Sequence, residues 1–156
     1  MYSKSKTKII NKGTLLILLT TILFLSCADV LNMLQNSGQT YTSNIVNGII
    51  TVSANDHKTY RVTITSLMQG THITGSFNAA GGSGNDIIVY VMDNTNYVNW
   101  TNGHQANCYY NSGQVTTGSF NVYLTTAGTY YVVYDNSFST ISKKVVTTRA
   151  DLYYTQ

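Results

Sequence analysis

The stretch GGSGNDIIV, Gly81 to Val89, fits the nonapeptide G-G-x-G-x-D-x-U-x, where U is a large apolar residue. In tandem, that pattern winds a calcium-binding β-roll. Calcium takes six to eight oxygen ligands, and in a roll each ion is shared between neighbouring turns. This chain holds one copy, so calcium is not expected from it. The stretch reads instead as a turn made by Gly81, Gly82 and Gly84 that runs into a strand at Ile87. Asp86 would then accept hydrogen bonds from backbone N–H groups of the loop. A calcium site of another kind would need Asp86, Asp93 and Asp135 together. Asp86 and Asp93 flank one strand, roughly 23 Å apart at about 3.3 Å per residue, so at most one of them can join Asp135.

Other chemistry-bearing residues are scattered. His104 and Cys108, four apart, would share a helix face, but Gly103 and the surrounding Asn residues argue for a loop. A zinc site adding His57 or His72 lacks the two close ligand pairs of a specific motif. A Cys–His dyad on Cys108 needs an orienting group and a cleft that nothing specifies, so Cys108 is expected as a small core residue. There is no G-x-S-x-G, and the absence of any Glu removes the usual glycosidase acid. No catalytic residue, metal or cofactor is expected. The segment DNTNYVNWTNGHQANCYYNSG is richer in promise. It sets Tyr97, Trp100, Tyr109 and Tyr110 among Asn and Gly, the composition of a protein-binding paratope. The same residues could stack on sugar rings, or Tyr could simply tile sheet faces.

The elements that must position these residues begin after a leader. Lys4, Lys6, Lys8 and Lys12 precede Thr14–Leu25, an apolar run too short to span a bilayer, which needs about 20 helical residues. This is the pattern of an export signal. Its end, Phe24-Leu25-Ser26-Cys27, resembles a bacterial lipobox, which makes residues 1–26 a lipoprotein signal and Cys27 the lipidated first residue. The expected product is an exported domain anchored to a bacterial membrane by lipid. Removing the leader leaves five cations against six Asp, a net charge of −1 in place of +3, so nucleic acid is not an expected partner. Residues 27–43 read as a tether, in which Asp29 could cap a short helix.

From residue 44 to 156 the chain reads as strands. Tyr60, Val62 and Ile64 alternate with polar neighbours, as do Ile73, Gly75 and Phe77. Ile87 to Met92 is apolar throughout, which marks a strand that is central or covered on both faces. Turn signals such as Asp93-Asn94-Thr95-Asn96, Asn102-Gly103 and Ala127-Gly128 separate the strands, and no helical period appears. The expectation is an all-β antiparallel sandwich, jelly-roll-like, of about eight strands.

The stretch GTYYVVYDNSFSTISKKVV, Gly128 to Val146, resembles the closing segment of a GOLD (Golgi-dynamics) domain. The matching positions are Gly128, Tyr130, Val132, Tyr134, Asp135, Asn136, Phe138, Ser139, Lys143 or Lys144, and Val145. Upstream, Gly75-Ser76-Phe77, the glycine loop and Asn85-Asp86-Ile87 also fit, so the resemblance covers roughly His57 to Tyr154. It implies a small β-sandwich that acts as an adaptor beside membranes, with no catalysis of its own. On the residues alone, Asp135-Asn136 is a turn-former, Phe138 would pack beneath the turn, and Lys143 or Lys144 could neutralise Asp135. The function expected is non-catalytic recognition at the cell envelope, toward a protein partner. The alternatives are an envelope glycan, or a structural role without a discrete ligand.

Overall fold

The computed structural model describes residues 38–82 and 84–156, together with Ser26, Asp29 and Leu31. Cys27 and the expected leader core lie outside the described residues. In the leading unit Asp29 lies within a helical turn, and Ser26 caps it. The Ser26 N–H donates to the Asp29 carboxylate (3.0 Å), and the Asp29 N–H donates to Ser26 Oγ (3.1 Å). This is the reciprocal capping-box arrangement, with the roles reversed from the sequence expectation. Among the described residues no helix is long and apolar enough to cross a membrane.

Residues 38–156 form a second unit, an antiparallel sandwich of two four-stranded sheets. One sheet orders as β1–β8–β3–β6 and the other as β2–β7–β4–β5. The strands are β1 (Thr40–Val52), β2 (His57–Ile64), β3 (Gln69–Ala80), β4 (Ile88–Asp93), β5 (Tyr110–Asn111), β6 (Thr117–Tyr123), β7 (Gly128–Asp135) and β8 (Lys144–Thr155). β1 thus begins at Thr40, inside the segment read as tether. Its pairing with β8 shifts between Asn44 and Val46, a bulge held by Asn44, whose Nδ2 donates to Asp151 (2.8 Å) and to the Val46 carbonyl (3.3 Å).

The core fills the space between the sheets. Val52, Ile73 and Val146 of one sheet face Val89, Val91 and Val132 of the other, all at most 1% exposed. Tyr134 crosses this core. Its hydroxyl donates to Thr148 Oγ1 (2.7 Å), which donates to the Ser76 carbonyl (2.8 Å), so one polar chain joins the sheets. Burial pushes the Tyr134 hydroxyl up to about 12.

The sequence expectation of no helix fails at one place. α1 (Asn94–Thr101) follows β4 directly and packs on β4 and β7. Met92 and Val133, on the outward face of their strands, are therefore as buried as core residues. That cover is why β4 is apolar from Ile88 to Met92, as expected of a strand shielded on both faces. Asp93 starts the helix by accepting from the Asn96 N–H (2.8 Å). No residue of α1 is fully buried, so its sequence carries no apolar stripe to announce it.

Two glycines of the open sheet make room for rings. Gly75 pairs with Phe120 and Gly118 with Phe77 across β3 and β6. A Cβ on Gly75 would lie 2.2 Å from the Phe120 ring, and one on Gly118 would lie 2.5 Å from the Phe77 ring. Gly75→Ala is therefore expected to destabilise the fold by about 1–3 kcal/mol through overpacking. Urea unfolding of the variant checks this, and an unchanged midpoint would refute the ring-accommodation account.

Candidate functional site

Most of the family-like residues, from Asp86 and Asp135 to Lys144, meet at one end of the sandwich. Asn136, fully buried just past β7, donates from Nδ2 to the carbonyls of Ser53 (2.9 Å) and Ser142 (2.9 Å), and its N–H donates to the Asp56 carbonyl (2.9 Å). It thereby ties the β1–β2 connection to the turn after β7. Asn136 Oδ1 is buried without a hydrogen-bond partner among the described residues. Asp135 makes the expected turn, accepting the Ser137 N–H (2.8 Å).

The lysine assignment is corrected. Neither Lys143 nor Lys144 pairs with Asp135. Lys144, 3% exposed, donates from Nζ to Asp86 (2.6 Å) and to the Gly81 carbonyl (3.0 Å), with the ammonium 5.8 Å from the centre of the Phe138 ring. Lys143 is exposed. Asp86 in turn accepts from Lys144 and from Gln114 Nε2, side chains in place of the expected loop N–H groups. Those contacts hold its carboxyl below the usual carboxylate range, chiefly through Lys144 and then Gln114. The Gly81 N–H goes to Asn85 Oδ1 (2.9 Å). Gly81 adopts φ 111°, and a Cβ there would lie 2.6 Å from the Lys143 carbonyl, so the glycine loop is shaped by its approach to β8. The corner frames an open cleft of about 310 Å³ lined by Gly82, Asp86, Gln114, Phe138, Ile141 and Lys144. Gly128 and Tyr130 lie at the other end of β7, where the Tyr130 hydroxyl donates to the Thr126 carbonyl (2.7 Å).

Two of the four aromatic candidates, Tyr97 and Trp100, sit on the outer face of the β2–β7–β4–β5 sheet. Tyr97 and Trp100 lie on α1, not in a loop, and both are half-buried. Tyr97 stacks on Tyr131 of β7 (4.1 Å between ring centres), while Trp100 packs edge-on to His57 (4.9 Å) and against Tyr90 (5.8 Å). Tyr110 packs against the core beside Phe120, and Tyr109 is 48% exposed. No local pattern marks Tyr131 or His57 as neighbours of Tyr97 and Trp100, because tertiary packing and strand register bring them together. Cys108 is exposed rather than in the core, and partial burial of its thiol raises its pKa. His57 and His72 lie on opposite sheets, so the histidines do not gather. Among the described residues no group of three or more His, Cys, Asp or Glu side chains could hold a metal ion.

Removing one partner of a buried ion pair strands the other. Asp86→Ala is expected to cost about 3 kcal/mol at neutral pH, and Lys144→Met added to it to restore part of that loss. Because the folded-state pKa of Asp86 is depressed, its contribution is present above its unfolded value of about 3.9 and is lost as pH falls through the folded value. Urea unfolding of the single and double variants between neutral and acid pH checks both expectations.

Over residues 50–152 the sequence matches the model of the emp24/gp25L/p24 family/GOLD. No curated protein matches it. Among solved structures, a periplasmic inhibitor of g-type lysozyme (PliG) from Aeromonas hydrophila is 14% identical, with 76% of this chain and 88% of that chain covered and a TM-score of 0.37. A mutant of the family 29 carbohydrate binding module CBM29-2 is 5% identical, with 73% and 92% covered and a TM-score of 0.38. Both likenesses are too loose to bear on what this chain binds. The match of the family model across two thirds of the sequence, on a two-sheet sandwich, establishes that this chain belongs to the emp24/gp25L/p24 (GOLD) family.

Proposed function

We propose that the chain is a non-catalytic recognition module, exported, held at a bacterial envelope by lipid on Cys27, and directed at a protein partner through α1. One observation carries the choice of surface. The excursion from Asn94 to Tyr109 between β4 and β5 is far longer than the two to five residues a hairpin needs, yet it is braced by hydrogen bonds. The Asn107 N–H donates to Asn96 Oδ1 (2.8 Å), the His104 N–H to the Asn99 carbonyl (2.9 Å), and the Tyr131 hydroxyl to Asn94 Oδ1 (3.1 Å). It contains no Lys, Arg, Asp or Glu, and it leaves Val98 46% exposed on the same helix as Tyr97 and Trp100. Aromatic content with depleted charge on a rigid support suits the centre of a protein interface.

Val98→Glu places a charge at the middle of that surface without touching the core. The variant is expected to retain the wild-type unfolding temperature and to lose the protein that the wild type captures from envelope extract. Retention of the same partner by the variant would remove α1 as the contact. Separately, Cys27→Ala is expected to abolish metabolic labelling by a fatty acid and to move the protein out of the membrane fraction. Unchanged labelling would refute the anchor.

A further inference from the structure

Among the described residues of 38–156 no helix packs on the outer face of the β1–β8–β3–β6 sheet, and the side chains of that face form a regular array. Strand register sets Asn47, Arg149, Ser76 and Ser119 side by side, then Ile49, Thr147, Asn78 and Thr117 in the next row. A shallow groove of about 370 Å³ runs here, lined by Asn47, Ser76, Asn78, Thr117, Thr147 and Arg149. Toward the other end of the same strands, Tyr153, His72 and Tyr123 stand in a row, with ring centres 5.2 Å and 5.1 Å apart. Tyr123 is on the edge strand, 64% exposed, with His72 on one side only. From Thr117 to Tyr123 along β6 is roughly 20 Å, at about 3.3 Å per residue.

We propose that this face binds a neutral glycan chain, lying along β3 and β6 from the Asn78–Thr117 row to Tyr123. The chemistry of the face selects that occupant. Amide and hydroxyl groups that both donate and accept match sugar hydroxyls, and an exposed tyrosine ring offers a π face to the C–H side of a pyranose. The face carries one cation and one carboxylate, and these pair with each other. Arg149 Nε donates to Asp151 (2.5 Å), and Asn44 holds the other Asp151 oxygen (2.8 Å). The pairing leaves no net charge to attract a polyanion and fixes the guanidinium beside the groove. A protein interface would need a large apolar centre, whereas the apolar part of this groove is narrow: Phe77 and Gly118 lie at its floor between amide and hydroxyl side chains, with Ile49 in the adjoining row. This face is distinct from α1, which covers the other sheet.

The test uses protein purified from cells expressing the full chain, titrated calorimetrically with neutral hexasaccharides of β-1,4-glucan, β-1,4-mannan, chitin and β-1,3-glucan. At least one is expected to bind, with an affinity independent of salt. Tyr123→Ala and Asn78→Ala, both at exposed positions, are each expected to weaken it by about tenfold or more, with unfolding temperatures unchanged. Val98→Glu on α1 is expected to bind the same sugar with wild-type affinity, so failure of the α1 reading and failure of this one are separable. Absence of binding to all four probes by folded protein would overturn the inference. So would binding lost in Val98→Glu but kept in Tyr123→Ala. Binding only to a uronate or sulfated chain, weakening with salt, would overturn the neutral class, and a protein captured through Tyr123 and Asn78 without any sugar would overturn the glycan.

Discussion

The ion pair between Lys144 and Asp86 is the constraint on which one end of this molecule depends. Lys144 opens β8 in one sheet, and Asp86 lies in the loop that enters β4 of the other. An ammonium that is 3% exposed must keep its carboxylate, since desolvating a lone ion costs several kcal/mol. The position of Asp86 is therefore fixed by β8, and the glycine loop has to fit around the pair. A Cβ on Gly82 would lie 2.9 Å from Ser142, and one on Gly84 would lie 2.7 Å from the Asp86 carboxylate. Those close approaches account for the glycines of GGSGND. Asn136 makes the complementary tie, from the end of β7 to the end of β1. Together the two side chains lock the sheets at the end where the family motif lies.

The two sheets then diverge in what they do with their outer faces. The β2–β7–β4–β5 sheet buries its outer face under α1, which turns Met92 and Val133 into a second apolar layer. The β1–β8–β3–β6 sheet keeps its outer face wet, so β8 alternates strictly from Lys144 to Arg149 and β6 alternates along its length. Those two patterns explain what could be read in advance. Alternation revealed β2 and β3, and an unbroken apolar run revealed that β4 was central or covered on both faces. The covering element itself was illegible. NTNYVNWT has no stripe of its own because α1 meets the sheet with rings that are only half-buried, and its N-cap Asp93 looks like any turn residue. Local sequence announces a helix by the face it buries, and this one buries none completely.

The corner was legible in its parts but not in its pairing. Asp86 and Lys144 were both singled out, yet they are 58 positions apart, and only strand register decides that Lys144 points inward while Lys143 points to water. A β-strand changes face with every residue, so a shift of one would exchange the two lysines and place the charge on the wrong side. The same holds for the polar array. Ser76, Asn78, Thr117 and Thr147 are unremarkable alternate residues in sequence. They become a surface only because β3 has β6 on one side and β8 on the other.

That dependence on register has a consequence for how the fold can form. β8 is an inner strand, hydrogen-bonded to both β1 and β3, while its partner β1 lies about a hundred residues earlier, from Val52 opposite Lys144 to Thr40 opposite Thr155. Neither β1 nor β3 has its main partner until β8 has arrived, and the Lys144–Asp86 tie waits for the same strand. A chain delivered across a membrane from its N-terminal end would hold β1 and β3 without that strand until β8 followed, with Ile50, Val52 and Ile73 exposed meanwhile. Pairing over such separations is slow, because the loop-closure entropy is lost before any contact offsets it. β2, β4 and β7 can associate earlier, since β7 pairs with both of the others before β8 is needed. The covered sheet is thus free to assemble first and to present Val89, Val91 and Val132 as the surface on which the open sheet, with its polar outer face, is completed last.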